Sequence, residues 1–182
     1  MKYFTKELWL GGNRHSESDQ RRVLVQWNTN FRNYQEQLKT LQSRLNEPAY
    51  RFFSEENLHD GRVLSFTAGD AIHHNIHGSE LFDINSHNPT VEIKVLGSQL
   101  DAQYTLKYSK VRRVVFDYPS ETPLFHDEGN HIGDWGYDEL TAADRSYLRH
   151  EILFASGTTI LIEFKDFSYE CEPCEGSRYQ CL

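Results

Sequence analysis

Residues 24–45 read LVQWNTNFRNYQEQLKTLQSRL. Within them Leu24, Trp27, Phe31, Tyr34, Leu38, Leu41 and Leu45 recur at alternating steps of three and four. That spacing places all seven side chains on one face of a single helix. A stripe of this kind is buried against the chain's own sheet or against a partner. About three heptads is the lower limit for a coiled coil, so packing in the chain's own layered core is the favoured reading. If both rings are fully buried, Trp27→Ala and Phe31→Ala should each cost about 3–5 kcal/mol.

Around this helix the punctuation is clear. Gly11 and Gly12 set a short N-terminal segment apart. Ser16 or Ser18 can cap the helix, with Glu17 and Asp19 near its positive end. Pro48 is expected to stop it, having no N–H and a ring that clashes with the preceding turn. Residues 49–57 can add one or two further helical turns.

From residue 61 the period becomes two. Arg62–Ala68 and Thr90–Leu96 read as strands, the second with Val91, Ile93 and Val95 on one face. Tyr104, Leu106 and Tyr108 alternate likewise, and Val114, Phe116 and Tyr118 keep that parity after a polar interruption at Ser109–Arg113. Tyr147–Ala155 and Thr158–Phe167 form a hairpin about Ser156-Gly157. Short strands with no helices between them imply an antiparallel sheet. The fold class is therefore α+β: a long N-terminal helix packed on an antiparallel β-sheet of roughly five to seven strands.

A two- or four-residue loop at Ser156-Gly157 would oppose His150 to Glu163, Ile152 to Leu161 and Phe154 to Thr159. Apolar residues would then fall on both faces near the turn. Such a hairpin is central in its sheet and needs a cover, and the helix stripe is the expected one.

The chain has 182 residues, 38% hydrophobic and 25% charged, which fits one domain spanning 1–182. Residues 1–57 are its helical part, 58–170 its β-rich part and 171–182 a cysteine-containing tail. The net charge of −8 and pI near 5.6 disfavour a nucleic-acid partner, which needs clustered Lys and Arg. They suit a solvated surface or a basic protein partner. The N-terminal residues lack the pattern of a signal peptide, and no apolar run reaches transmembrane length. These features lead us to expect a cytoplasmic protein, bacterial in style, without a membrane partner, as a monomer or weak dimer.

Candidate chemistry is sparse. Of nine histidines, His59, His73, His74, His77 and His87 cluster. His73 and His77 have the i,i+4 spacing that points two imidazoles at one metal on a helix. The surrounding turns argue for a loop, and no third ligand is matched, so no cofactor is expected. His126, Asp127, Glu128, His131 and Asp134 read as a solvated loop. Cys171, Cys174 and Cys181 resemble three-quarters of a zinc site, but a reduced, frayed tail is the default. Lys107, Lys110, Arg112 and Arg113 could hold a phosphate, or simply charge a strand edge. No catalytic residue is assigned.

Several segments carry a resemblance: Met1-Lys2-Tyr3-Phe4-Thr5-Lys6-Glu7-Leu8, Leu58-His59-Asp60-Gly61-Arg62-Val63, Trp135-Gly136-Tyr137-Asp138-Glu139, His150-Glu151-Ile152-Leu153-Phe154 and Ile162-Glu163-Phe164-Lys165-Asp166. Together they resemble a small bacterial family of domains of unknown function, helical at the N-terminus and β-rich thereafter. Similar small acidic proteins occur among the immunity proteins of bacterial toxin systems. The resemblance does not extend to Cys171–Leu182 or to His73–His87, and it implies no catalytic residues. The leading expectation is a non-enzymatic, protein-binding, immunity-like protein. The alternatives are a metal-dependent enzyme using His73–His87 and a helix-mediated structural homodimer.

Overall fold

A computed structural model describes residues 1–12, 17–70, 88–118 and 132–174. Ser16, His73, His74, His77, His87, His126, Asp127, Glu128, His131 and Cys181 lie outside the described residues, as do the readings that rest on them. The architecture is α+β. Helices α1 (Lys6–Gly12), α2 (Glu17–Lys39) and α3 (Glu47–Glu55) precede strands β1 (Arg62–Asp70), β2 (Pro89–Leu96), β3 (Ala102–Ser109), β4 (Arg113–Asp117), β5 (Trp135–Ala142), β6 (Leu148–Phe154), β7 (Thr159–Phe164) and β8 (Asp166–Pro173).

Instead of one sheet there are two of four strands, ordered β1-β2-β3-β8 and β4-β7-β6-β5, with antiparallel pairing throughout. They share a corner, because the β3–β8 ladder turns directly into the β4–β7 ladder. Lys110, with φ +53°, turns the chain there. The ladder is carried round by hydrogen bonds from Lys165 N to Ser109 O (3.3 Å) and from Arg112 N to Glu163 O (2.9 Å). Strands that switch sheets at a bend are a standard way to fold one sheet over another. A second tie joins the start of β5 to the approach to β1, where Trp135 N donates to Gly61 O (2.7 Å) and Asp60 N to Trp135 O (2.8 Å). The core lies between the sheets, with Ile93, Leu106 and Tyr108 from one and Leu140, Ile152, Ile162 and Phe164 from the other all fully buried.

The corner corrects the parity expected of β4. Val114, Phe116 and Tyr118 are exposed rather than continuing the buried face of β3, because the left-handed residue at 110 rotates the strand.

The hairpin register is also corrected. β6 and β7 are the central pair of their sheet, as expected, but Arg149 opposes Glu163 and His150 opposes Ile162. The loop has three residues: Gly157 N donates to Phe154 O (2.8 Å), Phe154 N to Thr158 O (2.9 Å), and Gly157 takes φ +84°. An odd loop with a left-handed glycine slips the register by one relative to a two- or four-residue turn. His150 then joins Leu148, Ile152 and Phe154 on one buried face, while Arg149, Glu151 and Glu163 share the other. The second face is thus mixed, its buried Leu153 near the turn giving way to charged residues further along, and the register argument for a helical cover over it falls.

Helix α2 instead runs along the free edge of β5, where the Tyr34 hydroxyl accepts the N–H of Leu140 (3.0 Å). An unpaired strand edge is thereby capped by a side chain. The helix ends at Lys39, short of Leu41 and Leu45. Thr40 N and Leu41 N bond three residues back, and Thr40 Oγ1 donates to Gln37 O (2.6 Å), tightening and ending the last turn. Pro48 does not stop α2; it sits in the first turn of α3, whose cap is Asn46, accepting from Ala49 N at 2.8 Å.

Of the stripe, Tyr34, Leu38 and Leu41 are buried, Trp27 is half-buried, and Leu24 and Phe31 are exposed, Phe31 by 45%. The expected cost of Phe31→Ala therefore falls to about 0.5 kcal/mol, and that of Trp27→Ala, whose ring lies on Phe4 and Tyr137, to about 2 kcal/mol. Urea unfolding of the two variants checks this ranking; a loss of 3 kcal/mol or more at Phe31 would contradict it.

β8 runs to Pro173, so residues 171–173 belong to the sheet rather than to a frayed tail. Cys171 packs against the core and is disulfide-bonded, contrary to the reduced state expected, while Cys174 is a free thiol. No helix among the described residues is long and apolar enough to cross a membrane.

Candidate functional site

The chemistry of this chain gathers where β5, the N-terminal segment, α2 and α3 meet. β5 pairs Trp135 with Phe154 but Tyr137 with Leu153, so Gly136 is one residue too many and forms a bulge. In a regular strand, side chains three positions apart point to opposite faces. The bulge puts Trp135 and Asp138 on the same face, where Trp135 Nε1 donates to Asp138 Oδ1 at 2.9 Å. Only glycine fits at 136: a Cβ would lie 2.7 Å from Leu153 O and 2.3 Å from the Trp9 ring.

Asp138 has a second donor. His150 Nε2 lies 3.0 Å from its Oδ2, and His150 Nδ1 lies 2.8 Å from the Tyr108 hydroxyl. Burial raises the Tyr108 phenol well above its ordinary pKa, with the Asp138 charge adding to the effect. The phenol thus keeps its proton and donates it to Nδ1, which leaves the imidazole N–H on Nε2, facing the carboxylate. Tyr108 and His150 are fully buried, whereas the Asp138 side chain is 26% exposed. The chain Tyr108–His150–Asp138 runs from the core outward and ends in a carboxylate held by two fixed donors.

That carboxylate lies in the wall of a cleft of about 480 Å³ between α2, α3 and β5. Phe4, Trp27, Phe31 and Tyr34 line one side, with Tyr50, Phe53 and Tyr137 across from the helix. Their rings brace each other: Trp27 on Tyr137 at 4.5 Å, Phe4 on Trp27 at 5.1 Å, Phe4 on Tyr34 at 5.3 Å and Phe53 on His150 at 5.1 Å. Burial, foremost, pushes the Tyr34 phenol far above its ordinary value, so it stays neutral. Glu55, Glu56 and Lys39 add charge to the lining. Glu55 pairs with Arg51 at 3.2 Å and Lys39 with Glu36 at 2.7 Å. Glu56 Oε2 accepts from Tyr104 at 3.1 Å, but its Oε1 is buried without a partner among the described residues. A second hollow of about 530 Å³, lined in part by Trp9 and His59, adjoins the first through Trp27 and Tyr137. His59 stacks on Tyr137 at 4.7 Å and places Nδ1 2.6 Å from Gly136 O, bracing the bulge from outside.

Of the other candidate residues named from the sequence, Asp134 sits 3.8 Å from Arg62. The basic run is fully engaged in ion pairs. Lys107 meets Glu170 at 2.6 Å, Lys110 meets Asp166 at 2.8 Å, and Arg112 meets Glu163 at 2.7 Å and also Asp144. Arg113 lies 3.9 Å from Glu163, and Arg149 lies 2.7 Å from it. The run neutralises its own neighbours and offers no open phosphate site. Among the described residues no group of three or more His, Cys, Asp or Glu could hold a metal.

The charged cluster at the corner does set an acid limit. Burial pushes the Glu163 carboxyl up, but hydrogen bonds from Arg149 and Arg112 outweigh it and hold the group below its ordinary 4.5. Asp144 is lowered from 3.8 to about 2, first by the Ser146 N–H and then by Arg112. Both groups are more acidic folded than unfolded, so their stabilisation is present above the unfolded pKa values and is lost as pH falls through the folded ones. The melting temperature should therefore drop steeply between about pH 4.5 and pH 2, and less steeply for Glu163→Gln. Equal slopes for both proteins would show that Glu163 contributes nothing to acid unfolding.

Compared with protein-family models, with curated proteins and with solved structures, the chain finds no match in any of the three. The site is therefore read on its own geometry. The sequence reading missed Asp138 and Tyr108 as site residues and preferred a register pair to a catalytic role for His150. Two signals were available: a polar histidine in phase with Leu148, Ile152 and Phe154, which must find a partner once buried, and a glycine inside the strand Trp135–Ala142, which marks a bulge.

Proposed function

We propose that this chain is a binding protein that carries out no turnover itself and seats its ligand in the cleft between α2, α3 and β5. The supporting observation is the cleft, in which aromatic walls supplied by four separate elements surround a carboxylate fixed by Trp135 and His150. Concave sites with apolar walls and a few oriented polar groups are where proteins take up small ligands or single side chains. Asp138 is positioned to accept a hydrogen bond, and the described lining residues supply no histidine, cysteine or activated serine to act beside it. Ser54, the serine of the lining, donates its hydroxyl to Tyr50 O at 2.8 Å. The immunity-like reading of the sequence is the case in which the seated group belongs to a basic partner protein, in keeping with the net charge of −8.

Ligand-observed NMR with single-ring aromatic fragments tests the cleft. Fragments should bind the wild-type protein and fail to bind Ser54→Trp, whose indole fills the mouth from an exposed helix position, while circular dichroism stays unchanged. No fragment binding to wild type, or equal binding to the folded Ser54→Trp protein, would overturn the proposal.

A further inference from the structure

We infer that the cleft is selective for an organic cation, a primary or alkylated ammonium carried on a short apolar stem; this rests on the reading of the cleft as the ligand site. Three observations converge. Asp138 presents its charge on a carboxylate already held by Trp135 and His150, so accepting a ligand N–H costs little reorganisation. Glu56, in the same lining, adds a second carboxylate, whose Oε2 accepts from Tyr104 at 3.1 Å. Hydrogen bonds to a carboxylate are strongest from a charged donor, so a cationic N–H is the group this lining favours. Aromatic side chains line the cleft beside these carboxylates, Trp27, Tyr34, Phe53 and Tyr137 among them. Aromatic faces attract a cation through their quadrupole and offer an anion nothing comparable. Lys39, the cation of the described lining, is engaged by Glu36 at 2.7 Å, which raises its pKa and leaves Asp138 and Glu56 to a cation from outside.

The chemistry is the same whether the ammonium arrives on a free amine or on the lysine side chain of a basic protein. The test uses benzylamine, benzyltrimethylammonium, benzyl alcohol and benzoate, one ring and one stem with four head groups. Calorimetry or ligand-observed NMR on the full chain should show benzylamine binding at least about tenfold tighter than benzyl alcohol, benzyltrimethylammonium, which keeps the charge but has no N–H, between the two, and benzoate weakest. Asp138→Asn and Glu56→Gln should each weaken the cations about five- to tenfold and leave benzyl alcohol unchanged. A short lysine peptide binding tighter than benzylamine supports the cation reading with a protein as source. The reverse order supports it with a free amine. If benzyl alcohol matches the cations, or if neither carboxylate variant alters selectivity, the cation inference is overturned while the cleft reading survives. If none of the four probes binds, the cleft reading itself fails.

Discussion

Glu139→Ala is expected to destabilise the protein by about 4–6 kcal/mol, because hydrogen bonds to a charged group contribute about 1.5–3 kcal/mol each and three are lost together. Glu139 is fully buried, yet it is surrounded by donors. Its carboxylate accepts the backbone N–H groups of Lys2, of Tyr3 at 2.7 Å and of Phe4 at 3.3 Å. An ionised carboxylate is tolerated in an interior only when its lone pairs are filled in this way. Removing it strands the N–H groups of Tyr3 and Phe4, in a segment that can reach no other acceptor without leaving β5. The rings then follow the backbone: Phe4 packs on Trp27, Tyr34 and Tyr137, and Tyr3 on Tyr34. The cleft would thus lose its inner wall along with its stability.

Glu139→Gln provides the graded comparison. It keeps one acceptor oxygen but turns an NH₂ toward donors, so about half the loss, roughly 2–3 kcal/mol, is expected. Urea unfolding with unchanged m-values measures both, and a cost below about 1 kcal/mol for Glu139→Ala would mean that the N-terminal segment is not held by this residue. The substitution should also weaken any ligand of the cleft, whereas an equally buried apolar site far from it, such as Ile93, should not.

What the sequence revealed of this fold, and what it hid, follows from the range of the interactions involved. Val91, Ile93 and Val95 are buried together on β2 because a period of two is written locally, and the same holds for Tyr104, Leu106 and Tyr108. The stripe of α2 was read correctly as helix as far as Leu38, although Leu24 and Phe31 on it are exposed. Beyond it, Thr40 broke the helix through its own side chain, an interaction that the apolar period does not record. Division into two sheets depended on the left-handed backbone at Lys110 and on the single residue Lys165 between β7 and β8. Neither residue type announces a corner. The hairpin register turned on whether the loop held two residues or three, and Gly157 carries the sign of the longer loop, a glycine at its last position. The site was least legible. Tyr108, Asp138 and His150 come from three strands of two sheets, and their meeting depends on the bulge at Gly136 and on the corner that folds one sheet over the other.

The Tyr108–His150 bond, the innermost link of that site, should show itself as strong non-additivity. His150→Leu leaves the Tyr108 hydroxyl fully buried with no acceptor and removes one of the two donors to Asp138. A stranded buried hydroxyl and the loss of a bond to a charged group together should cost about 3–4 kcal/mol. Tyr108→Phe alone leaves His150 Nδ1 without a partner and should cost about 1–2 kcal/mol. In the double variant both stranded groups are gone, and a phenyl ring and an isobutyl group face each other between Phe164, Phe167 and Phe53. Replacing both members of a buried polar pair by apolar groups of similar shape can be nearly neutral. What remains is the lost donor to Asp138, which is exposed enough for water to replace it. The double variant should therefore be more stable than His150→Leu, with a coupling energy that exceeds the cost of Tyr108→Phe itself, about 2–3 kcal/mol across the cycle. Additive costs would instead mean that the Tyr108 hydroxyl and His150 act independently.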